Sequence, residues 1–218
     1  MAMRSRELLV STTRDCGENI MKRRTFDRIV SFVGLGLSVL LFVAAGLLNW
    51  GAGFANDSVA SQLEQQRITM PAVDSDSFKA LPAEAQDELR PFDAMPLTTG
   101  KQAQAYADFY IGTHIKGIAG GKVYSEVSGE ALAANAKSKA NPNDAKLAAE
   151  AATLMGQRTT LFMGETLRGV LLTAYAFWQL GQIAMYAAYA ASIGGVLMLI
   201  LSLMGFAHIR RVEADATI

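Results

Sequence analysis

The sequence is poor in the residues that build metal, redox and nucleophilic sites. It contains one cysteine, Cys16, and two histidines, His114 and His208. A single cysteine excludes a disulfide within the chain and a cysteine-based metal cluster. The sequence has no His-Glu-x-x-His, Gly-x-Ser-x-Gly or Cys-x-x-Cys motif, and Gly120-Gly121-Lys122 lacks the spacing of a phosphate loop. We therefore predict no catalytic, cofactor-binding or metal-binding residue and no enzymatic activity.

Charge is also scarce and unevenly placed. Charged residues make up 18% of the chain, and the formal net charge is zero, which argues against a nucleic-acid partner. Residues 1 to 30 carry seven basic and four acidic side chains, whereas residues 51 to 167 carry ten basic and fourteen acidic ones. Two stretches, Ile29 to Leu48 and Gly169 to Ala207, have no charged residue. Since a bilayer core needs about 20 apolar residues per helix, this distribution predicts a membrane protein.

The first apolar run follows a basic cluster. Lys22, Arg23, Arg24 and Arg28 precede it, and Trp50 follows it. The positive-inside rule places the N-terminus in the cytoplasm and Trp50 at the opposite interface. A cleaved signal peptide is the alternative, although its apolar region would exceed the usual length of about 7 to 15 residues. Translation from Met21 also stays open.

The second apolar run is too long for one span. At about 1.5 Å per residue its thirty-nine residues reach about 58 Å, against a hydrocarbon core of about 30 Å. Because Arg210 and Arg211 follow it, we predict one helix that crosses the bilayer near its end, with Tyr186 at the outer interface and Gly169 to Met185 as an outer extension. A hairpin of two spans is the alternative, and it would place both arginines outside.

Short amphipathic helices are predicted between the two runs. Asp57 and Ser58 either cap a new helix or lie in a continuation of the first span. Asn141 is a candidate cap with Pro142 at the first helical position of the last helix. No run alternates with period two, which favours helices throughout. The predicted segments are residues 82 to 90, 101 to 118 and 124 to 136.

These features predict an all-α membrane protein of the plasma membrane. Two transmembrane helices bracket a helical extracytoplasmic domain, and the second span continues a long outer helix. The predicted segments are a cytoplasmic tail at 1–28, a transmembrane helix at 29–50, the extracytoplasmic domain at 51–185, a second transmembrane helix at 186–208 and a cytoplasmic tail at 209–218.

Small residues recur along the first span and along the second, and such faces let helices approach closely. We predict that these faces pack against each other, with packing against another protein or a second copy as the alternative. The residues are Gly34, Ser38, Ala184, Ala188, Ala191 and Gly195.

A ligand or partner surface is predicted where the amphipathic helix at 101–118 meets the outer extension. Aromatic and aliphatic side chains from the two segments either fill one another as core or leave an apolar pocket. His114 lies on this stripe, and a core histidine hydrogen-bonded to Tyr106, Tyr110 or a backbone carbonyl is its simplest role. The predicted residues are Tyr106, Tyr110, His114, Ile115, Val170, Tyr175 and Trp178.

Two segments carry a resemblance to a known family. The stretches YADFYIGTHIKGIAGGKVYSEVS (106–128) and GETLRGVLLTAYAFWQLGQIAMYAA (164–188) resemble a family of uncharacterised actinobacterial two-span membrane proteins. Some members are labelled aromatic ring-opening dioxygenases. A non-haem iron site needs two histidines and a carboxylate at one metal, and His114 and His208 lie in different predicted compartments. The resemblance therefore implies a fold and a location without a reaction.

The expected function is that of a non-enzymatic accessory or scaffold protein of the cell envelope, with the membrane and another envelope protein or a second copy as partners. The alternative is a protein that binds a lipid or a small apolar ligand. A weaker alternative is a component of an oligomeric transporter or channel, since two uncharged spans alone form no pore.

Overall fold

The computed structural model describes residues 23–211, and this part of the chain is helical with no strand, which confirms the all-α prediction. An isolated antiparallel bridge joins Thr69 and Pro96. A 3₁₀ turn, Arg90–Phe92, follows the third helix, and a π-helix, Tyr106–Ile111, joins the fourth to the fifth. The α-helices are α1 (Arg23–Gln66), α2 (Asp76–Lys79), α3 (Ala83–Leu89), α4 (Gly100–Ala105), α5 (Gly112–Ile118), α6 (Tyr124–Ala140) and α7 (Ala145–Ile209).

Helices α1 and α7 are long and apolar enough to cross a membrane. Only 22% of the apolar window of α1 and 11% of that of α7 are buried, whereas a core helix of a soluble protein is mostly covered. Helix α7 runs without a break through Gly169 to Ala207, so the hairpin alternative is wrong. Helix α1 likewise continues through Asp57 and Ser58, which start no new helix.

The chain forms two compact units. The larger comprises Gly46–Tyr189, and the smaller combines the described residues up to Ala45 with those from Ala190 onward. These units are defined by contacts within the protein, and such contacts do not show where a bilayer would begin or end. The membrane boundaries after residues 28, 50, 185 and 208 therefore stay predictions.

In the smaller unit, α1 and α7 pack antiparallel through small residues. The Ser38 hydroxyl donates to the Gly195 carbonyl at 2.8 Å. A Cβ on Gly34 would lie 2.5 Å from the Ser202 hydroxyl oxygen, so the two helices approach closely at this glycine. Apart from the buried Gly34, the buried positions recur every seven residues, as in a coiled-coil seam. They are Ser31, Ser38 and Ala45 on α1 and Gly195, Ser202 and Ile209 on α7.

The core of the larger unit lies between the C-terminal part of α1, the short helices and α7. Phe78 of α2 is 2% exposed and Leu89 of α3 is fully buried, and each such side chain contributes about 1.5–3 kcal/mol through burial. Thr99 and Gln102 form a capping box that starts α4. The short helices thus close over apolar residues of the two long helices, namely Val59, Leu63, Leu161 and Leu171.

Two predicted helix ends need correction. Helix α6 extends to Ala140, beyond the predicted Ala136. Asn141 and Pro142 do not start the last helix, because the Asp144 carboxylate accepts hydrogen bonds from the amides of Lys146 and Leu147 at 2.9 and 3.1 Å. An aspartate that satisfies these free amides is a strong N-cap, so α7 begins at Ala145.

Candidate functional site

An open apolar cavity of about 710 Å³ lies in the larger unit between the last turns of α1 and the middle of α7. We call it the α1–α7 groove. Its floor is formed by Val59, Leu63 and Leu171, which are at most 4% exposed. The side chains that form its walls are exposed. They include Phe162, Met163, Leu167, Val170 and Phe177 of α7, which are 40 to 62% exposed.

The lining of the groove is almost entirely apolar. Among the residues that the structure describes, no Asp, Glu, Lys or Arg lines it, and its polar side chains are Gln62, Gln66, Thr166 and Thr173. Small-molecule sites have volumes of about 300–1,000 Å³ and a similar composition. The groove is therefore suited to an uncharged, apolar ligand and offers no group for acid–base chemistry.

A second apolar hollow lies across α7 from the groove. This α5 hollow, of about 290 Å³, is lined by Tyr110, His114 and Ile115 on one side and by Thr160 on α7. Met163 and Leu167 line both cavities, and we call this pair the Met163–Leu167 ridge. The two hollows therefore share one wall.

The structure divides the predicted ligand surface. Val170 lines the groove, and Tyr110, His114 and Ile115 line the α5 hollow. Trp178 and Tyr106 are half-buried against the core instead, and neither lines either cavity.

The face that carries Trp178 is closed by α4. A Cβ on Gly100 would lie 2.6 Å from Cγ of Trp178, so only a glycine lets α4 approach this closely. Tyr175 stacks on Trp178 with 6.1 Å between ring centroids. These aromatic side chains pack as core.

Sequence reasoning missed the α1 side of the groove. The segment of Val59, Gln62, Leu63 and Gln66 was expected only as a helix after the first span or as a continuation of that span. The spacing of four between Val59 and Leu63 marks an apolar stripe. That stripe indicates burial, but it does not indicate which helix covers it.

Of the predicted packing residues, Ala184 and Ala188 lie in the larger unit, where Ala188 is 3% exposed and Ala184 is half-buried. Ala191 is half-buried in the smaller unit. In the larger unit a Cβ on Gly181 would lie 2.9 Å from Cβ of Ala55, and the Gln182 amide donates to the Asn56 side chain at 3.0 Å. Helices α1 and α7 are therefore in close contact at Ala55 and Gly181, next to the groove.

Arg168 holds the π-helix against α7. Its Nε donates to the Ala107 carbonyl at 3.2 Å, and its guanidinium pairs with Asp108 at 3.0 Å and Glu165 at 3.4 Å. The Gly112 amide donates to the same carbonyl five residues back, which is the hydrogen bond of a π-turn. The widened turn thus offers one carbonyl to two donors. The carboxylates of Asp108 and Glu165 balance the positive charge of Arg168. We therefore interpret this cluster as a contact that stabilises the fold.

A column of three rings runs along the π-helix and α5. The ring centroids of Tyr106 and Tyr110 are 4.8 Å apart, and those of Tyr110 and His114 are 4.5 Å apart. His114 Nδ1 donates to the Tyr110 carbonyl at 2.7 Å, as predicted, but the residue is exposed. Burial, and to a lesser extent the neighbouring Tyr110, raises the pKa of Tyr106 above its ordinary value of 10.0. Tyr106 therefore stays protonated and neutral.

Within residues 23–211, no group of three or more His, Cys, Asp or Glu side chains is placed to hold a metal ion. Cys16 lies outside the described residues.

Comparisons with protein-family models, curated proteins and solved structures gave no match. The resemblance to the actinobacterial two-span family therefore stays a prediction.

Proposed function

We propose that this protein is an integral membrane protein with two spans whose outer unit binds the acyl chain of a lipid in the α1–α7 groove. The supporting observation is the groove itself, an open apolar cavity of about 710 Å³ without a charged lining residue. Apolar surface of this kind marks a site of interaction when no other part of the protein covers it.

The length of the groove fits an acyl chain. From Phe162 to Phe177 the helix rises about 22 Å at about 1.5 Å per residue. One leaflet of a bilayer, half of a hydrocarbon core of about 30 Å, holds its chains in about 15 Å. The groove can therefore take a complete chain along α7.

Continuity of apolar surface along α7 supports a ligand that comes from a membrane. Beyond the groove, Leu180 and Ile183 are 62% and 56% exposed, and Tyr186 and Tyr189 are 67% and 54% exposed. Tyrosines are enriched at membrane interfaces, and in the proposed topology these two lie where the bilayer begins. A chain leaving the outer leaflet would thus meet apolar side chains until it reached the groove.

The proposal is tested by photolabelling. The full-length protein is placed in phosphatidylcholine nanodiscs that contain phosphatidylcholine with a diazirine on one acyl chain, and labelled peptides are mapped by mass spectrometry. We expect label at residues 162–177 in addition to the predicted spans. Ala174→Phe fills the groove with a ring and should reduce groove labelling about tenfold. Label confined to the predicted spans would refute the proposal.

Two further variants keep the result interpretable. Ala176→Phe adds the same ring at an exposed position of the same helix that does not line the groove, so its labelling should match the wild type. Val170→Asp places a charge on a wall residue that is already 62% exposed, which should weaken chain binding without disturbing the core. Labelling of the predicted spans serves as the internal standard for every variant.

A scaffold role is the second candidate. The observation that favours it is the exposure of Leu180 and Ile183, because neither residue lines the groove. Affinity purification from native membranes tests this role. A reproducible partner that is lost in Leu180→Asp would support it, and the absence of any reproducible partner would refute it.

A further inference from the structure

The α5 hollow and the groove are two limbs of one apolar surface. They share Met163 and Leu167, which line both hollows and are 57% and 40% exposed. A molecule that lies over these two exposed side chains would therefore contact both hollows. The lining of the α5 hollow, like that of the groove, includes no Asp, Glu, Lys or Arg among the described residues.

The two limbs differ in length. Along α7 the α5 hollow runs from Thr160 to Leu167, a rise of about 10 Å, compared with about 22 Å for the groove. A leaflet holds a whole acyl chain in about 15 Å, so the α5 hollow can take the first part of a chain but not all of it. The geometry thus provides one long and one short apolar limb on the two sides of a ridge.

Resting on the proposed function, we infer that the ligand is a lipid with two acyl chains that straddles the Met163–Leu167 ridge, with one chain in the α1–α7 groove and the start of the other in the α5 hollow. A lipid with one chain would leave one hollow open to water. An amphipathic helix of a partner protein is a rigid cylinder about 10 Å across and would lie on one side of the ridge. A branched, flexible occupant fills both limbs.

The headgroup plays a minor part in this binding. Charged headgroups are recognised by charged side chains or by a group of hydrogen-bond donors. Among the described residues, the lining of both hollows includes no Asp, Glu, Lys or Arg side chain. We therefore choose phosphatidylcholine, whose headgroup has no net charge, as the probe.

The test uses phosphatidylcholine with a diazirine on each of its two chains, in nanodiscs of unlabelled phosphatidylcholine containing the full-length protein. If one lipid straddles the ridge, a single probe molecule will cross-link a peptide from residues 110–118 to a peptide from residues 59–66 or 170–177. Lysophosphatidylcholine with one diazirine chain should label the groove and give no such cross-linked pair.

A matched pair of threonine variants locates the short limb. Thr160→Phe fills the α5 hollow and should reduce the doubly cross-linked product about tenfold, while single labelling of the groove persists. Thr153→Phe is the control, because Thr153 is also exposed on α7 and makes the same type of hydrogen bond to a carbonyl four residues earlier. It should match the wild type.

The outcomes separate the two proposals. Groove labelling without cross-links to residues 110–118 would overturn the two-chain inference and leave chain binding in the groove intact. An unchanged doubly cross-linked product in Thr160→Phe would also overturn the inference. Absence of label from both hollows, with label in the predicted spans, would refute the proposed function as well.

Discussion

Gly100→Ala tests whether the Tyr106 and Trp178 face is closed, which decides where a ligand can bind. The new Cβ would lie against Cβ of Trp178, 2.6 Å from its Cγ and 3.0 Å from its Cδ2. A Cβ is fixed by the backbone, so rotation of the indole cannot relieve this contact. Helix α4 would have to move away from α7.

The cost follows from two opposing effects. Overpacking of this kind costs typically about 1–3 kcal/mol, and we take its upper part because both close atoms are attached near the backbone. Replacing a helical glycine by alanine returns up to about 1 kcal/mol. The net loss of about 1–2 kcal/mol corresponds to a fall in Tm of about 2–8 °C for a chain of this size.

The assay is thermal unfolding of the purified protein in detergent, followed by far-ultraviolet circular dichroism at one scan rate. Gly156→Ala is the control, since nothing lies within 4 Å of a Cβ added at this exposed position of α7. Its Tm should rise by about 2–4 °C through helix propensity alone. If Gly100→Ala were as stable as Gly156→Ala, the face would not be closed and the reasoning would fail.

Two further predictions concern the π-helix. Arg168→Met removes the cation that joins Asp108, Glu165 and the Ala107 carbonyl and should cost about 1–2 kcal/mol, reduced by partial exposure. In thermal scans it should lower the Tm more than Lys122→Met, whose ion pair is more exposed; equal effects would contradict this. Because the pKa of Tyr106 is raised in the fold, its stabilising effect is complete below about pH 10 and is lost as pH rises through the folded pKa. The fall in Tm above pH 10 should therefore be smaller in Tyr106→Phe than in the wild type, and equal slopes would rule out this role.

Local sequence patterns were sufficient to predict that the chain is helical. They were less successful in predicting the type of helix and the residues at which helices begin. The amphipathic stripe after Thr99 correctly predicted a helix, because apolar spacing and a capping residue act within a few residues. The π-helix at Tyr106–Ile111 was not predicted, since the additional donor to the Ala107 carbonyl comes from Arg168, sixty-one residues away. Asp144 rather than Asn141 caps α7, a choice between two good capping residues that lie close together.

The sequence by itself determined that this protein is helical and has two apolar helices long enough to cross a membrane. Both properties follow from composition and from periodicity along one segment. Only the tertiary structure decided where the apolar surface remains open. Gly100 lets α4 close over Trp178, whereas within residues 23–211 no short helix covers Val170 and Phe177 opposite the last turns of α1. A cavity depends on which helices approach each other and how closely, and that distance is set by contacts between residues far apart in the sequence.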